Sequence, residues 1–121
     1  MGDNLTEQII AAAIEVHRIL GPGLLESIYE EALCHELGLR GISHERQKEI
    51  SVIYKDAKIK GQRLDLLVNG EVIVEIKSVK RFEDVFSAQV LSYLKSTGLK
   101  RALLLNFGES RLIDGIKRFS L

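Results

Sequence analysis

The sequence predicts an α/β domain: a mixed sheet with helices packed on it, its elements in the order ααβββαβ. Three observations carry that prediction. Apolar residues recur at helical spacing as far as Gly41 and then alternate, so two helices precede a run of strands. Asn69-Gly70, set between two apolar runs, is a strong hairpin signal and makes the second and third strands antiparallel neighbours. A helical stretch then leads into the apolar run 101–107, and a helix between two strands is a crossover that sets the last strand parallel to a neighbour.

Residues 5–20 place Ile9, Ala13, Val16 and Leu20 on one helical face, with Asp3 and Asn4 as caps and Glu7 to reach back to the cap. Gly21-Pro22-Gly23 ends this helix and turns the chain. A second helix is expected from about Leu24 to Leu39, with Leu25, Ile28, Tyr29, Leu33 and Leu37 as its apolar side and Gly38 and Gly41 marking its end. Ile50, Val52 and Tyr54 then alternate with polar residues, as a half-buried strand requires, and Lys55-Asp56 suits a hairpin turn. The second strand ends in Leu64-Asp65-Leu66-Leu67-Val68. The third, residues 71–77, is apolar on both faces and so belongs at the centre of the sheet, covered on both sides. A helix follows between Glu83 and Thr97, with Glu83 and Asp84 where the helix dipole favours acids, and Gly98 closes it. In the last stretch, Leu112, Ile113, Ile116 and Phe119 suit either an edge strand or a short helical turn.

With 121 residues, the chain is expected to form a single domain, 1–121, large enough for one core. Lys+Arg and Asp+Glu both number 17, which excludes a strongly basic coat; any attraction to phosphate has to be local. Cys34 is the only cysteine, so an internal disulfide and a zinc site of several cysteines are excluded, and a reducing, cytoplasmic setting is expected. Neither a signal peptide nor a run of membrane-spanning length is expected, hence no membrane partner. His17, His35 and His44 show no ligand-like spacing.

The chemistry concentrates in the second and third strands. Glu75 and Lys77 are two apart in an apolar strand and therefore share a face. Asp65 is lodged between Leu64 and Leu66. Charges inside a sheet are costly unless paired or bound to a metal. One reading is a buried ion pair of Lys77 with Glu75 or Asp65. The other is a metal site: two carboxylates hold Mg²⁺ against a phosphate, and a lysine orients the attacking water or offsets the charge that develops.

Asp65…Glu75-Ile76-Lys77 across a hairpin resembles the signature of the PD-(D/E)XK nuclease superfamily. Gly23-Leu24-Leu25-Glu26-Ser27-Ile28-Tyr29 resembles the motif that names the GxxExxY family within it. The similarity continues through Arg63-x-Asp65-Leu66-Leu67-Val68, Val72 to Lys77, Ala88-Gln89-x-Leu91-Ser92-Tyr93-Leu94-Lys95 and Leu105-Asn106-Phe107-Gly108. The resemblance implies a nuclease-like core with helices flanking a central mixed sheet. It also implies Asp65, Glu75 and the Ile76 carbonyl as metal ligands, and Lys77 as the catalytic lysine. Glu26 would be an additional acid from a core helix, acting on the metal through water. Gln89 and Tyr93 look like the Gln-x-x-x-Tyr motif of the RecB-like branch. Together with Tyr29 and Arg63 they are expected to bind substrate or support the site. Two positions depart from the pattern: Leu64 replaces the proline of the superfamily's name, and Phe86 stands where many members have histidine.

The expected function is therefore a Mg²⁺-dependent nuclease, with Mn²⁺ as a substitute, acting on DNA ahead of RNA and possible as a homodimer that cuts two strands. The alternative is a catalytically silent module that keeps the fold to bind nucleic acid or protein. Lys58, Lys60, Arg63, Lys80, Arg81 and Lys95 form either a phosphate-tracking rim or an ordinary charged surface.

Hairpin register decides whether the two carboxylates can meet. A plain two-residue Asn69-Gly70 turn pairs Val68 with Glu71 and sends Asp65 and Glu75 to opposite faces. A shift of one residue sets Val68 against Val72, Leu66 against Val74, Leu64 against Ile76 and Asp65 against Glu75. The expectation is a three-residue loop, or an Asn-Gly turn followed by a bulge.

Overall fold

A computed structural model describes residues 3–121. Its elements are α1 (Asn4–Leu20), α2 (Glu26–Leu39), β1 (His44–Tyr54), β2 (Ala57–Val68), β3 (Val72–Lys77), α3 (Asp84–Thr97), β4 (Arg101–Asn106), one 3-10 turn (Leu112–Gly115) and β5 (Ile116–Ser120). The five strands form one sheet in the order β1-β2-β3-β4-β5. All neighbours are antiparallel except β3 and β4, which α3 connects as a parallel crossover. The fold is thus the expected mixed sheet with flanking helices, and β3 is its central strand. The C-terminal stretch resolves into both of its alternatives, a helical turn and then an edge strand.

Alternation along β3 divides the core. Val72, Val74 and Ile76 face α1 and α2, where Ile9, Ala13, Val16, Tyr29, Leu33 and Leu37 cover them. Ile73 faces α3 and packs with Val90, Tyr93 and Leu94. Glu75 and Lys77 follow Ile73 at two-residue steps, which turns the charged pair toward α3. Among the described residues no helix is long and apolar enough to cross a membrane.

Several local expectations need correction. Asp3 caps α1 by accepting from the Thr6 amide at 2.8 Å, but Glu7 does not reach back; its carboxylate pairs with Arg118 on β5. The second helix begins at Glu26 rather than Leu24, because Leu25 is still extended as its N-cap. Leu25 and Ile28 are exposed, since the buried stripe of α2 runs through Tyr29, Glu30, Leu33, Cys34 and Leu37 instead. Glu71 belongs to the turn and not to β3: its amide donates to the Val68 carbonyl at 3.0 Å.

The shifted register is the one observed. Val68 pairs with Val72, Leu67 with Ile73 and Leu66 with Val74. Asn69 and Gly70 both have positive φ, 53° and 68°, as a turn of type I′ demands, and Glu71 is the extra residue that shifts the frame. The expectation that Leu64 faces Ile76 fails. Leu64 packs on the α3 side and Ile76 on the α1/α2 side, because the strand turns over at Asp65.

Candidate active site

Asp65 and Glu75 interlock where the β2–β3 ladder ends. The Asp65 amide donates to the Glu75 carboxylate at 2.8 Å, and the Ile76 amide donates to the Asp65 carboxylate at 2.8 Å. Side chains thus take the place of the main-chain acceptors beyond the Leu66–Val74 pair. Both carboxylates are drawn toward the gap between the strands, and Glu75 is only 3% exposed.

Among the described residues no lysine or arginine lies at salt-bridge distance from either carboxylate. Burial and then the Asp65 charge push Glu75 up to about 8, against the pull of the Asp65 amide and of Lys77. Asp65 is also raised, chiefly by burial and next by the charge of Glu30, while the Ile76 amide and Lys77 act the other way. The ion-pair reading of Lys77 therefore does not describe the geometry. Its ammonium stands over the Phe86 ring, 4.7 Å from the centroid. An open cleft of about 500 Å³ lies there, lined by Lys77, Val85, Phe86, Ala88 and Gln89.

α3 supplies the wall facing the carboxylates. Tyr93 is buried, and its hydroxyl is pushed up to about 12 by burial and then by the charges of Glu75 and Asp65, with Gln89 beside it opposing. The helical spacing of Gln89 and Tyr93 thus brings both to the site face.

Other expected residues stand further off. Glu26 is exposed on the first turn of α2, and its charge still reaches Asp65. Among the described residues, however, no three His, Cys, Asp or Glu side chains gather as a metal-holding group, so Glu26 is not assembled with the pair. Tyr29 is a packing residue. Its ring stacks on Phe107 at 4.5 Å, and its hydroxyl donates to the Gly21 carbonyl and accepts from the Leu24 amide. It shapes the loop before α2, whose Leu24 carbonyl accepts from the Ser78 hydroxyl just past Lys77. Arg63 is exposed and donates to the Gln47 carbonyl at 3.2 Å.

A family model for the PD-(D/E)XK nuclease superfamily matches residues 3–119. The chain belongs to the PD-(D/E)XK nuclease superfamily. No curated protein and no solved structure matches it. Asp65, Glu75 and Lys77 are the residues whose spacing resembles the superfamily signature.

Four residues near the site were given no role by the sequence. Buried Glu30 accepts from Arg46 and Gln47, beside the site. Its signal was an acid inside the buried stripe of α2, next to Tyr29. Asn106 is 1% exposed and clamps the exit of β3: its carbonyl oxygen accepts from the Val79 and Gly108 amides, and its amide donates to the Val79 carbonyl. Gly108 follows because a Cβ there would stand 2.2 Å from the Val79 carbonyl oxygen. Gln47 gave no signal, since nothing in a glutamine announces a positive φ.

Proposed function

We propose that the chain is a member of the GxxExxY family that hydrolyses phosphodiester bonds in DNA with a divalent cation, Mg²⁺ or Mn²⁺. One observation carries this reading: a buried Glu75 and a half-buried Asp65 interlock with no basic partner at salt-bridge distance among the described residues, on the strand that brings Lys77 to a cleft. Like charges this close repel unless a proton or a cation intervenes. Carboxylate oxygens are the donors that Mg²⁺ and Mn²⁺ prefer. Asp65, Glu75 and the Ile76 carbonyl are the ligands, and Glu26 acts from the second helix through water. When bound, the cation lowers the pKa of a ligated water and offsets charge on the phosphate.

The remaining roles belong to the chain's own side chains. Lys77, held over Phe86, directs its ammonium to the attacking water or to the phosphate oxygens. Gln89 and Tyr93 form the wall that orients the substrate and keeps bulk water from the pair. Arg63, exposed on β2, neutralises phosphate outside the cleft. A cytoplasmic location accords with Cys34, a buried thiol whose pKa burial pushes up to about 11.

Cleavage assays on single-stranded DNA, duplex DNA and RNA, with Mg²⁺ or Mn²⁺, test the proposal. Metal-dependent cleavage that Lys77→Ala abolishes is the expected result. Tight nucleic-acid binding with no cleavage under any metal would favour a silent binding module instead.

A further inference from the structure

The interlock of Asp65 and Glu75 requires the β2 backbone to turn over at Asp65. Leu66 and Val68 face α1 and α2, whereas Leu64, two residues from Leu66, faces α3. Residues two apart on a regular strand share a face, so the strand is rotated between them. The cause lies across the hairpin. β1 and β2 pair from His44↔Val68 to Arg46↔Leu66 and again from Lys48↔Leu64. Between these pairs, Gln47 stands opposite Asp65 with φ 49°. A glutamine seldom adopts this left-handed conformation, which persists only where its surroundings hold it.

Three contacts hold it. The Gln47 amide group donates to Glu30 Oε1 at 2.9 Å. Arg46 donates to Glu30 Oε2 through Nε at 3.1 Å and Nη2 at 3.0 Å. Arg63 donates to the Gln47 carbonyl at 3.2 Å. Glu30 is buried and fixed on α2, so the helix grips consecutive residues of β1 at the kink. Both of its oxygens are occupied by these donors. The charge of Glu30 also acts on both Asp65 and Glu75, which sets the anchor close to the pair.

We propose that Glu30, Arg46 and Gln47 form a positioning clamp that fixes the kink in β1 and thereby aims the Asp65 main chain and carboxylate at Glu75 and Ile76. Glu30 is a positioning residue and not a metal ligand. The effect on catalysis rests on the nuclease reading above; the effect on the backbone does not.

The experiment uses the full chain with Gln47→Ala, which loses the contact with Glu30 and disfavours the positive φ. Hydrogen exchange of the Asp65 and Ile76 amides, read by NMR in metal-free protein, is expected to quicken about tenfold or more, with Ile73 unchanged. Calorimetry is expected to show Mn²⁺ binding weakened about tenfold, the range seen when groups that orient a metal's ligands are removed. In DNA cleavage, kcat is expected to fall with KM steady. If Gln47→Ala does not fold, Gln47→Gly, which adopts the same φ freely, gives the same exchange reading through loss of the side-chain bond alone. Exchange at Asp65 and Ile76 equal to wild type overturns the clamp. Wild-type protein that neither binds Mn²⁺ nor cleaves overturns the nuclease reading instead, and the exchange data still decide the clamp.

Discussion

Glu75→Gln isolates the free energy stored in the carboxylate pair. The glutamine carbonyl oxygen can still accept from the Asp65 amide, so shape and hydrogen bond are kept and only the charge is removed. In the wild type, burial and Asp65 raise Glu75 from 4.5 to about 8. Below pH 4.5 the carboxyl is protonated in the folded and the unfolded chain alike, and no stability is lost. Between 4.5 and about 8 the unfolded chain releases the proton while the folded chain keeps it, so stability falls as pH rises. Above about 8 the loss is complete. At about 1.4 kcal/mol per pH unit, this interval corresponds to a ceiling of about 5 kcal/mol. Urea unfolding in EDTA at pH 4.5, 6.5 and 9 is the assay. Relative to wild type, Glu75→Gln should be near neutral at pH 4.5 and more stable by several kcal/mol at pH 9. Saturating Mn²⁺ should then stabilise the wild type and not the variant if the proposed site binds the ion through the native pair. A difference between variant and wild type that is the same at pH 4.5 and pH 9 would refute the reasoning.

Three further outcomes are expected. Asp65→Ala and Glu75→Ala should each abolish calorimetric binding of Mn²⁺ and Mg²⁺ while circular dichroism retains the fold; unchanged binding in both variants removes the metal site. Gly108→Ala should destabilise the domain by about 2–4 kcal/mol in urea unfolding, because the new methyl meets a main-chain oxygen that cannot swing aside, and wild-type stability would contradict that close approach. Phe86→Leu keeps an apolar wall but removes the aromatic face under Lys77; at about 0.5–2 kcal/mol for such a contact, kcat should fall roughly 2- to 30-fold, and an unchanged kcat shows that the ring does not hold the lysine.

Much of this protein follows from the sequence by itself, because its local signals agree with its global packing. Helical spacing, the glycines after both N-terminal helices and the doubly apolar β3 set the element order and the central strand. The hairpin register was also legible. Only one frame gives the apolar residues of β2 and β3 apolar partners, and that frame brings Asp65 to Glu75, as the Val68–Val72 pairing bears out. What the sequence left open was settled by contacts between residues far apart in the chain. The buried stripe of α2 is centred on Tyr29 and Glu30, not Ile28, because the path of the preceding loop sets how the helix is rotated against the sheet. Lys77 rests on Phe86 rather than pairing with a carboxylate, and only the position of α3 could decide that. The turnover of β2 at Asp65 has no local cause at all. It depends on a glutamine eighteen residues earlier, held in a left-handed conformation by a carboxylate from a helix, and no pattern of hydrophobicity or propensity encodes such a contact.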